Sequence, residues 1–403
     1  MGLALVLPGE PAGAQWPPRL HLAGHAVATL THADPVPGGH GLTELRVVQP
    51  VLMVRADGPA RVGLLATLNL EGVTLESGEL TPGAWGEGFV DRRHPHTYLH
   101  ELLLTADDVL GEADGAGVIS LAAGKGFAPF GTDDPMVRPP LRYPVNHHLA
   151  QILERAVAIA AIRHGPVSGE IGLFNGDEPE RPGQWPRIGG RFGDSWALRL
   201  TGEPVAGLEL QGSHAQVHSP EHRPGAGTDQ SKWSLSARWD GLLGRWPTYA
   251  LAEWARTSEA AGFFVFSSVL AEGAWTVGRQ RLHYRFERTE RPEEQRISPF
   301  RSLRPHLENS ILGITRWTIH TVGYAAPPFD RSGISVRPLV EISHGRIGRV
   351  GGGLFDVRQT YGKESFWSWT LGMRVNFGGP AHRMGRYGAA IGGGRPHQHR
   401  TER

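Results

Sequence analysis

The segment from Phe366 to Phe377 alternates between apolar and mostly polar side chains, and this alternation constrains the fold more than any other feature. Its odd-numbered positions carry Trp, Trp, Leu, Met, Val and Phe, whereas its even-numbered positions carry Phe, Ser, Thr, Gly, Arg and Asn. Because successive side chains of a β-strand point to opposite faces, the segment predicts a strand with one wholly apolar face. Such a strand fits a barrel wall with lipid outside and water inside, although a soluble sandwich can produce the same alternation.

Composition favours a barrel over a helical membrane protein. Hydrophobic residues make up 39% of the 403-residue chain, and no apolar run reaches the length of about 18 residues that a helical span needs. The 55 Gly and 31 Pro residues predict many turns and loops. The net charge of +1 gives no reason to expect nucleic acid as a partner. Cys is absent, which is only weakly informative because outer-membrane barrels usually close without disulfides.

Segments of strand length recur about sixteen times, which predicts an all-β fold: a transmembrane antiparallel up-and-down β-barrel within residues 15–377. One of them, 152–162, also fits an amphipathic helix, and we assign it as a strand because an even strand number requires one there. The predicted strands are 20–31, 42–56, 62–73, 97–105, 116–125, 152–162, 165–174, 194–201, 206–218, 231–240, 247–257, 262–271, 275–287, 310–323, 334–346 and 365–377.

The connections between these strands alternate in length, as expected for short periplasmic turns and longer extracellular loops. Links such as 163–164 and 202–205 lie on the side of the chain ends, which we predict to be periplasmic. Long connections rich in Pro, Gly and charge, such as 126–151 and 288–309, lie on the other side. The connection 258–261 is the exception, because it is short where a long loop is expected.

Charged residues fall repeatedly on the strand face opposite the aromatic residues, and we predict that they line the pore. They could form an anion path, although acidic and basic members could equally neutralise each other. The predicted pore-lining residues are Arg199, Arg238, Asp240, Arg285, Glu287, Arg337, Glu341 and Arg374. On the apolar face, Trp275, Trp317, Trp367 and Tyr249 are interpreted as interfacial girdle residues, with ordinary core packing as the alternative for each.

The connection 126–151 contains Asp133 and Asp134 close to Arg138 and Arg142, together with several Pro and Phe residues. A barrel of about sixteen strands leaves an aqueous channel, and a loop folded into it would narrow it. Opposed acidic and basic groups across that constriction would produce a transverse electric field that orients polar solutes. The alternative is an external loop packed on the rim.

No residue pattern in the chain points to catalysis or to a cofactor. The adjacent pairs Ser213-His214, His218-Ser219 and Ser343-His344 fail as catalytic pairs, because neighbours on a strand face opposite ways. We therefore expect no catalytic residue and no enzyme activity. The histidines His94, His96, His100, His147, His148, His397 and His399 are interpreted as ordinary loop residues, so no metal site and no cofactor are predicted.

Two motifs resemble known outer-membrane proteins. Thr370, Gly372, Val375 and Phe377 match the terminal-strand signal of bacterial outer-membrane barrels, which implies recognition by the barrel-assembly machinery. Residues 119–133 contain Gly-Lys-Gly-Phe-Ala-Pro-Phe-Gly, which resembles a stretch of the phosphate-selective O/P-type porins. The resemblance implies a sixteen-stranded channel in the outer membrane of a Gram-negative bacterium, in contact with lipid and lipopolysaccharide and able to assemble as a homotrimer.

The chain departs from that family in two respects. Only three of its 41 basic residues are Lys, and its charge is balanced, which argues against phosphate selectivity. It also continues beyond Phe377, and the Gly-, His- and Arg-rich residues 378–403 predict a flexible periplasmic tail. At the other end, residues 1–14 are interpreted as a truncated signal peptide, because Ala12-Gly-Ala14 resembles a cleavage site but no basic region precedes it.

These features together predict a porin-like channel of the bacterial outer membrane for passive diffusion of small polar or anionic solutes. The alternative is a structural or adhesion barrel whose lumen is plugged by its own loops.

Overall fold

Sixteen long strands form the wall of the molecule, each antiparallel to its neighbours. The computed structural model describes residues 19–75, 96–110, 117–179, 181–298, 301–302, 311–379 and 381–393. In chain order the strands are β1 Arg19–Asp34, β2 Leu42–Asp57, β3 Val62–Asn69, β4 Leu99–Leu110, β5 Val118–Gly126, β6 Arg155–His164, β7 Val167–Phe174, β8 Ser195–Val205, β9 Leu208–Val217, β10 Gln230–Leu243, β11 Trp246–Glu259, β12 Phe264–Val277, β13 Gln280–Glu294, β14 Ile311–Ala325, β15 Ile334–Gly353 and β16 Ser365–Gly378.

The sheet closes on itself because the last strand pairs with the first. The register between β1 and β16 runs from Ala23 opposite Gly378 to Asp34 opposite Trp367. A closed sheet leaves no unpaired edge, which is what a wall facing hydrocarbon requires. The predicted fold class is therefore confirmed, including the assignment of Arg155–His164 as a strand.

The remaining elements are short and lie in the connections. The strand Phe329–Arg331 pairs with the first residues of β15, and Arg296–Ser298 pairs with Arg301–Ser302. Three short α-helices and three 3₁₀ turns complete the inventory of the described residues: α1 Glu71–Thr74, α2 His147–Ala150, α3 Val357–Tyr361, Pro59–Arg61, Pro135–Val137 and Ala260–Gly262. No helix among the described residues is both long enough and apolar enough to span a membrane.

Connection lengths differ between the two ends of the barrel. At the near end, where β1 begins and β16 ends, four links contain two residues each: 165–166, 206–207, 244–245 and 278–279. Longer connections lie at the opposite, far end, and among them 127–154 is fully described. The connection 260–263 is short despite its place at the far end, as the sequence indicated.

The two faces of the wall differ in chemistry. Outward-facing apolar side chains are exposed, for example Leu200 at 60%, Leu235 at 57% and Trp367 at 57%. Their neighbours on the opposite face, such as Arg199 and Ser234, are buried. An apolar outer surface over a polar interior is the arrangement expected of a barrel surrounded by lipid.

Two aromatic residues assigned to the outer girdle point inward instead. Trp317 is 1% exposed, and its ring packs against those of Tyr361 at 5.7 Å and Phe366 at 5.4 Å. Tyr249 donates a hydrogen bond to Glu272 at 2.6 Å. The girdle interpretation is therefore wrong for both residues. In each case a partner from another strand or loop offers a buried packing surface that strand periodicity alone does not reveal.

The space enclosed by the wall is filled by chain. Three buried apolar residues of the connection 127–154 pack against inward-facing residues of β1 and β2: Met136, Leu141 and Tyr143 against Val27, Val48 and Met53. The core of the molecule therefore lies inside the barrel rather than between two sheets.

The contact between Gly345 and Phe366 provides a test of packing in the wall. These residues are directly opposite on β15 and β16, and a Cβ atom at Gly345 would lie 2.4 Å from the Phe366 ring. We expect Gly345→Ala to reduce the free energy of unfolding in urea by about 1–3 kcal/mol, because the buried ring must move. Gly348→Ala is the matched control, since no atom lies within 4 Å of its added Cβ. Equal stability of the two variants would contradict the packing described here.

Candidate functional site

The connection 127–154, called here the inward loop, crosses the lumen. Its backbone amides at Leu141 and Val145 donate to Glu341 on β15 and Glu287 on β13, at 2.5 and 2.8 Å. On another part of the wall, Gly131 donates to Ser213 on β9 at 3.0 Å. A segment bonded to separated strands around the barrel must run through its interior. The alternative of a loop packed on the external rim is therefore wrong.

The four predicted constriction residues all lie buried within this loop. Asp133, Asp134, Arg138 and Arg142 are at most 3% exposed. They do not face each other across an open gap. Instead, each has its own partners, and Arg142 pairs with Glu287 of the wall while Arg138 donates to Thr132 at 2.6 Å. Burial lowers the pKa of Arg142 to about 9, with Arg285 as the next contributor.

Asp133 of the inward loop binds residues of both the wall and the C-terminal segment. It accepts hydrogen bonds from Arg383 at 2.7 and 2.9 Å and from Arg386 at 3.3 Å, and it pairs with Arg238 on β10. Burial alone would raise the pKa of this carboxyl, but Arg383, Arg238 and Arg386 outweigh it and hold the pKa well below its ordinary value. Asp133 is therefore ionised, and we call these four residues the Asp133 cluster.

The segment 381–393, called here the tail, lies inside the barrel. Met384, Arg386, Tyr387, Ala390 and Ile391 are at most 4% exposed. The backbone amides of Ala389 and Ile391 donate to Ser120 on β5 and Ser168 on β7, at 2.6 and 3.1 Å, while the Tyr387 hydroxyl donates to Glu101 on β4 at 2.7 Å. These bonded residues differ from the flexible periplasmic tail that was predicted. Polar composition indicated disorder, but residues on the inward face of the wall bind several polar groups of the tail. Residues 394–403 and the predicted signal peptide 1–14 lie outside the described residues.

Buried ion pairs cover much of the inward face of the wall. Arg199 forms a bidentate pair with Glu170 at 2.6 Å, and Arg285 pairs with Glu272 at 2.6 Å. Four of the predicted pore-lining residues, Arg199, Arg285, Glu287 and Glu341, are at most 3% exposed. Their side chains face inward as expected. The inward loop and the tail cover them, so they do not line an open, water-filled pore in this conformation.

The near end of the lumen is different, because three inward arginines lie there without a direct ion pair among the described residues, although the carboxylates of Glu341, Asp330 and Asp240 are close enough to act on them. Arg337 lies directly opposite Arg374 across β15 and β16, and Arg281 lies on β13, with β14 between it and β15. Among the described residues, none of the three forms an ion pair, and the Nε and Nη2 atoms of Arg374 are buried without a hydrogen bond. Like charges directly opposite each other repel. We call these three arginines the near-end vestibule. Their positive charge favours the presence of an anion between them.

The other two predicted pore-lining residues, Arg238 and Asp240, lie close to this vestibule. They pair with each other at 3.1 Å, and the side chain of Asp240 is 66% exposed. Asp240 is therefore the most accessible acidic group among the predicted pore-lining residues.

Several acidic residues that bind charged and polar groups inside the barrel were not identified from the sequence. Glu170, Glu253 and Glu272 sit on the inward faces of β7, β11 and β12, where the same alternation that identified Arg199 would have indicated them. The partners of the tail, such as Glu101 and Glu209, could not have been found in this way, because nothing local indicates that the tail returns.

The histidines of residues 96–100 are buried rather than loosely placed in a loop. His96 and His100 are 4% and 0% exposed. Ligand atoms of His96, His100 and Glu154 all lie within 4.8 Å of one another, which is compatible with a metal ion. The expectation of a loop position is therefore wrong for His100, which lies on β4, whereas His96 and His147 lie in connections but are buried. His94, His397 and His399 lie outside the described residues.

The residues matching the terminal-strand signal are all incorporated in the wall. Thr370 faces inward and bonds to Thr31 of β1 at 3.0 Å, while Gly372 lies opposite Leu339 of β15. Val375 and Phe377 lie opposite Ala26 and Gly24 of β1. In the closed barrel all four residues therefore take part in the pairing of β16 with its neighbouring strands.

Comparisons with known proteins identify the fold but not a close relative. No family model matches the sequence, and no curated protein sequence matches it. The anion-selective porin from Comamonas acidovorans is similar in structure, with a TM-score of 0.54 and 11% identity over 89% of this chain and 100% of that chain. OmpF of Salmonella typhi in complex with daunomycin has a TM-score of 0.50 and 10% identity, over 89% of this chain and 98% of that chain. The fold is therefore that of the outer-membrane porins.

Glu71 lies at the far end beside the inward loop and is completely buried. It accepts a hydrogen bond from the backbone amide of Gln49 at 2.7 Å and another from Asn69 at 3.3 Å. Burial raises the pKa of Glu71 to about 7, against the opposing effect of His96. The folded protein therefore holds this proton more tightly than the unfolded chain does.

The stability of the protein should consequently decrease as pH rises through this range. With a pKa of 4.5 unfolded and about 7 folded, the contribution of Glu71 is lost between those values, which corresponds to up to about 3 kcal/mol. We expect Glu71→Gln to remove this part of the pH dependence in urea unfolding measured from pH 4 to pH 8. Glu364→Gln, at an exposed ion pair with Arg358, is the control and should leave the profile unchanged. A wild-type profile identical to that of Glu71→Gln would contradict the assignment.

Proposed function

We propose that this protein is an outer-membrane channel that passes small anionic solutes and that its own tail closes in the present conformation. The observation that supports the proposal most directly is the near-end vestibule, where Arg281, Arg337 and Arg374 form no direct ion pair among the described residues. Positive groups without counter-ions at the mouth of a pore attract anions and raise their local concentration.

The tail and the inward loop both occupy the lumen into which this vestibule leads. Both are attached by polar contacts and by apolar packing against the wall, and the Asp133 cluster joins them. The covalent connection of the tail to the wall lies at the near end, after Gly378, so the tail can leave the lumen without breaking the pairing of the strands. Its departure would remove Arg383, Arg386 and Tyr387 from the lumen and open the space along β4 to β9.

A second candidate function is a structural barrel with a permanently filled lumen. The complete burial of Arg285 and the near-complete burial of Arg199, Glu287 and Glu341 favour this alternative. Lipid would contact the outward apolar face in either case. Contact with lipopolysaccharide, recognition by the barrel-assembly machinery and a homotrimeric state stay predictions.

A disulfide between the tail and the wall can distinguish these functions. The chain has no Cys, and the amide nitrogen of Ala389 lies 2.6 Å from the Ser120 hydroxyl oxygen, so Cys residues at these two positions are close enough to bond. We expect the Ser120→Cys/Ala389→Cys protein to be silent in a planar bilayer when oxidised and to conduct after reduction. The single variant Ser120→Cys under the same oxidant is the control and should conduct like wild type.

The possible results of this experiment separate the two candidates. Equal conductance of the oxidised and reduced double variant would contradict closure by the tail. Silence of the wild type and of the reduced variant, when heat-modifiable migration shows both to be folded, would favour the structural barrel. Asp133→Asn should lengthen the open periods, because it removes the carboxylate that Arg383 and Arg386 bind.

The vestibule provides a separate prediction about selectivity. We expect the double variant Arg337→Gln/Arg374→Gln to shift the reversal potential under a KCl gradient toward cation preference, because two unpaired positive charges are lost. Arg279→Gln is the matched control at the same end of the barrel, since Arg279 already pairs with the exposed Asp330. An unchanged reversal potential in the double variant would show that these arginines do not determine selectivity.

A further inference from the structure

A patch of positive charge lies on the outward, lipid-facing side of the wall, in its far-end half. On three strands the outward row of side chains passes from an aromatic ring or imidazole to an exposed arginine. The successive outward residues are Trp254 and Arg256 on β11, Phe286 and Arg288 on β13, and His344 and Arg346 on β15. Aromatic side chains are typical of the boundary between hydrocarbon and water, so the arginines lie at the level of the lipid headgroups. We call Arg256, Arg288 and Arg346 the outer arginine patch.

The opposite boundary of the same strands carries no such charge. Between the middle of the wall and the near end, the outward positions of β11 to β15 are uncharged, and those of β15 are Val340, Pro338, Val336 and Ile334. Contact with hydrocarbon imposes the same requirement on both halves of a strand. The difference therefore concerns the two headgroup regions. Long connections of outer-membrane barrels are extracellular, so the far end with its arginines faces the outer leaflet.

The outer arginine patch has no counter-charge bound to it. All three arginines are exposed, and among the residues that the structure describes none of their side chains forms a hydrogen bond or an ion pair. The neighbouring Arg316 on β14 differs, because it donates to Glu290 at 2.6 Å. The three guanidinium groups are therefore available to a ligand that approaches from the lipid side.

The strand register sets the spacing of the patch. Arg288 and Arg346 both lie opposite Thr318 of the strand between them, so their Cα atoms are separated by two interstrand spacings, or about 10 Å. Arg256 lies two strands from Arg288 on the other side and two residues closer to the far end. Arginine stems lie along apolar surface and keep their charged ends in the polar layer above it. This spacing fits a ligand with more than one anionic group better than a ligand with a single one.

We propose that the outer arginine patch binds the phosphorylated headgroup of the outer-leaflet saccharolipid, the lipid A part of lipopolysaccharide. Guanidinium groups match phosphate geometry and bind it through two parallel hydrogen bonds. The acyl chains of the same molecule lie along the exposed apolar residues below the arginines, such as Val269, Leu282 and Ile342. A headgroup with two phosphates and several chains uses both the separated charges and the wide apolar face. The proposal does not depend on whether the barrel conducts.

Native mass spectrometry of the refolded, detergent-purified full chain, titrated with bisphosphorylated lipid A, tests the patch. We expect the wild type to retain one lipid A molecule and Arg288→Gln/Arg346→Gln to bind it about tenfold more weakly or worse, because two phosphate-binding charges are lost. Arg349→Gln/Arg358→Gln is the matched control with the same loss of charge at the same end. Arg349 donates to the Gly353 carbonyl oxygen at 2.9 Å and Arg358 pairs with Glu364 at 2.8 Å, so this variant should bind like wild type.

Two further lipids identify the headgroup with the wild-type protein alone, whether or not the variants fold. Monophosphoryl lipid A should bind more weakly than the bisphosphorylated form, and phosphatidylglycerol should bind more weakly still. Equal affinity for phosphatidylglycerol and lipid A would overturn the assignment to the saccharolipid, and so would a folded wild type that retains no lipid A. Heat-modifiable migration establishes which variants are folded. Wild-type affinity in folded Arg288→Gln/Arg346→Gln would show that lipid A binds elsewhere on the wall.

Discussion

The whole interior of this barrel depends on charge neutralisation. A wall that is apolar outside presents its charged residues inward, and a loop and a tail that fill the lumen take those charges away from bulk water. Each buried charge then needs an opposite charge and hydrogen bonds close by, because the desolvation of an unpaired ion is too unfavourable. The pairs Arg199–Glu170, Arg285–Glu272 and Arg142–Glu287 satisfy this requirement on the wall. The Asp133 cluster satisfies it where three chain segments meet.

The pairing requirement also explains why the near-end vestibule stands apart. Arg337 and Arg374 are forced to be neighbours by the strand register, and the tail passes on toward β4 to β9 without supplying a carboxylate to them. The molecule thus contains two electrostatic regions along one axis. One is internally neutral and closed by protein groups, and the other is positive and faces the near end.

The wall was predictable from the sequence to a large extent, since strand alternation is local. All sixteen strands occur in the predicted order, and the inward positions of Arg199 and Arg285 follow from the same period of two. What could not be predicted depends on contacts between distant segments. Trp317 and Tyr249 have the sequence environment of girdle residues, but their side chains point inward and contact Tyr361 and Glu272, respectively. The composition of the tail indicates disorder. Its order could not be predicted, because its partners are distributed over strands that are more than 150 residues away in sequence.

The docking position of the tail has a consequence for the order in which the molecule is made. The tail follows the strand that closes the barrel, but it binds to Glu101, Ser120, Ser168 and Gln211 on the opposite part of the wall. Those residues lie on one consecutive run of paired strands, β4 to β9, and the tail reaches them across the lumen from β16. The tail can therefore be buried only after these strands and β16 have been placed around one lumen, so its docking follows the assembly of most of the wall.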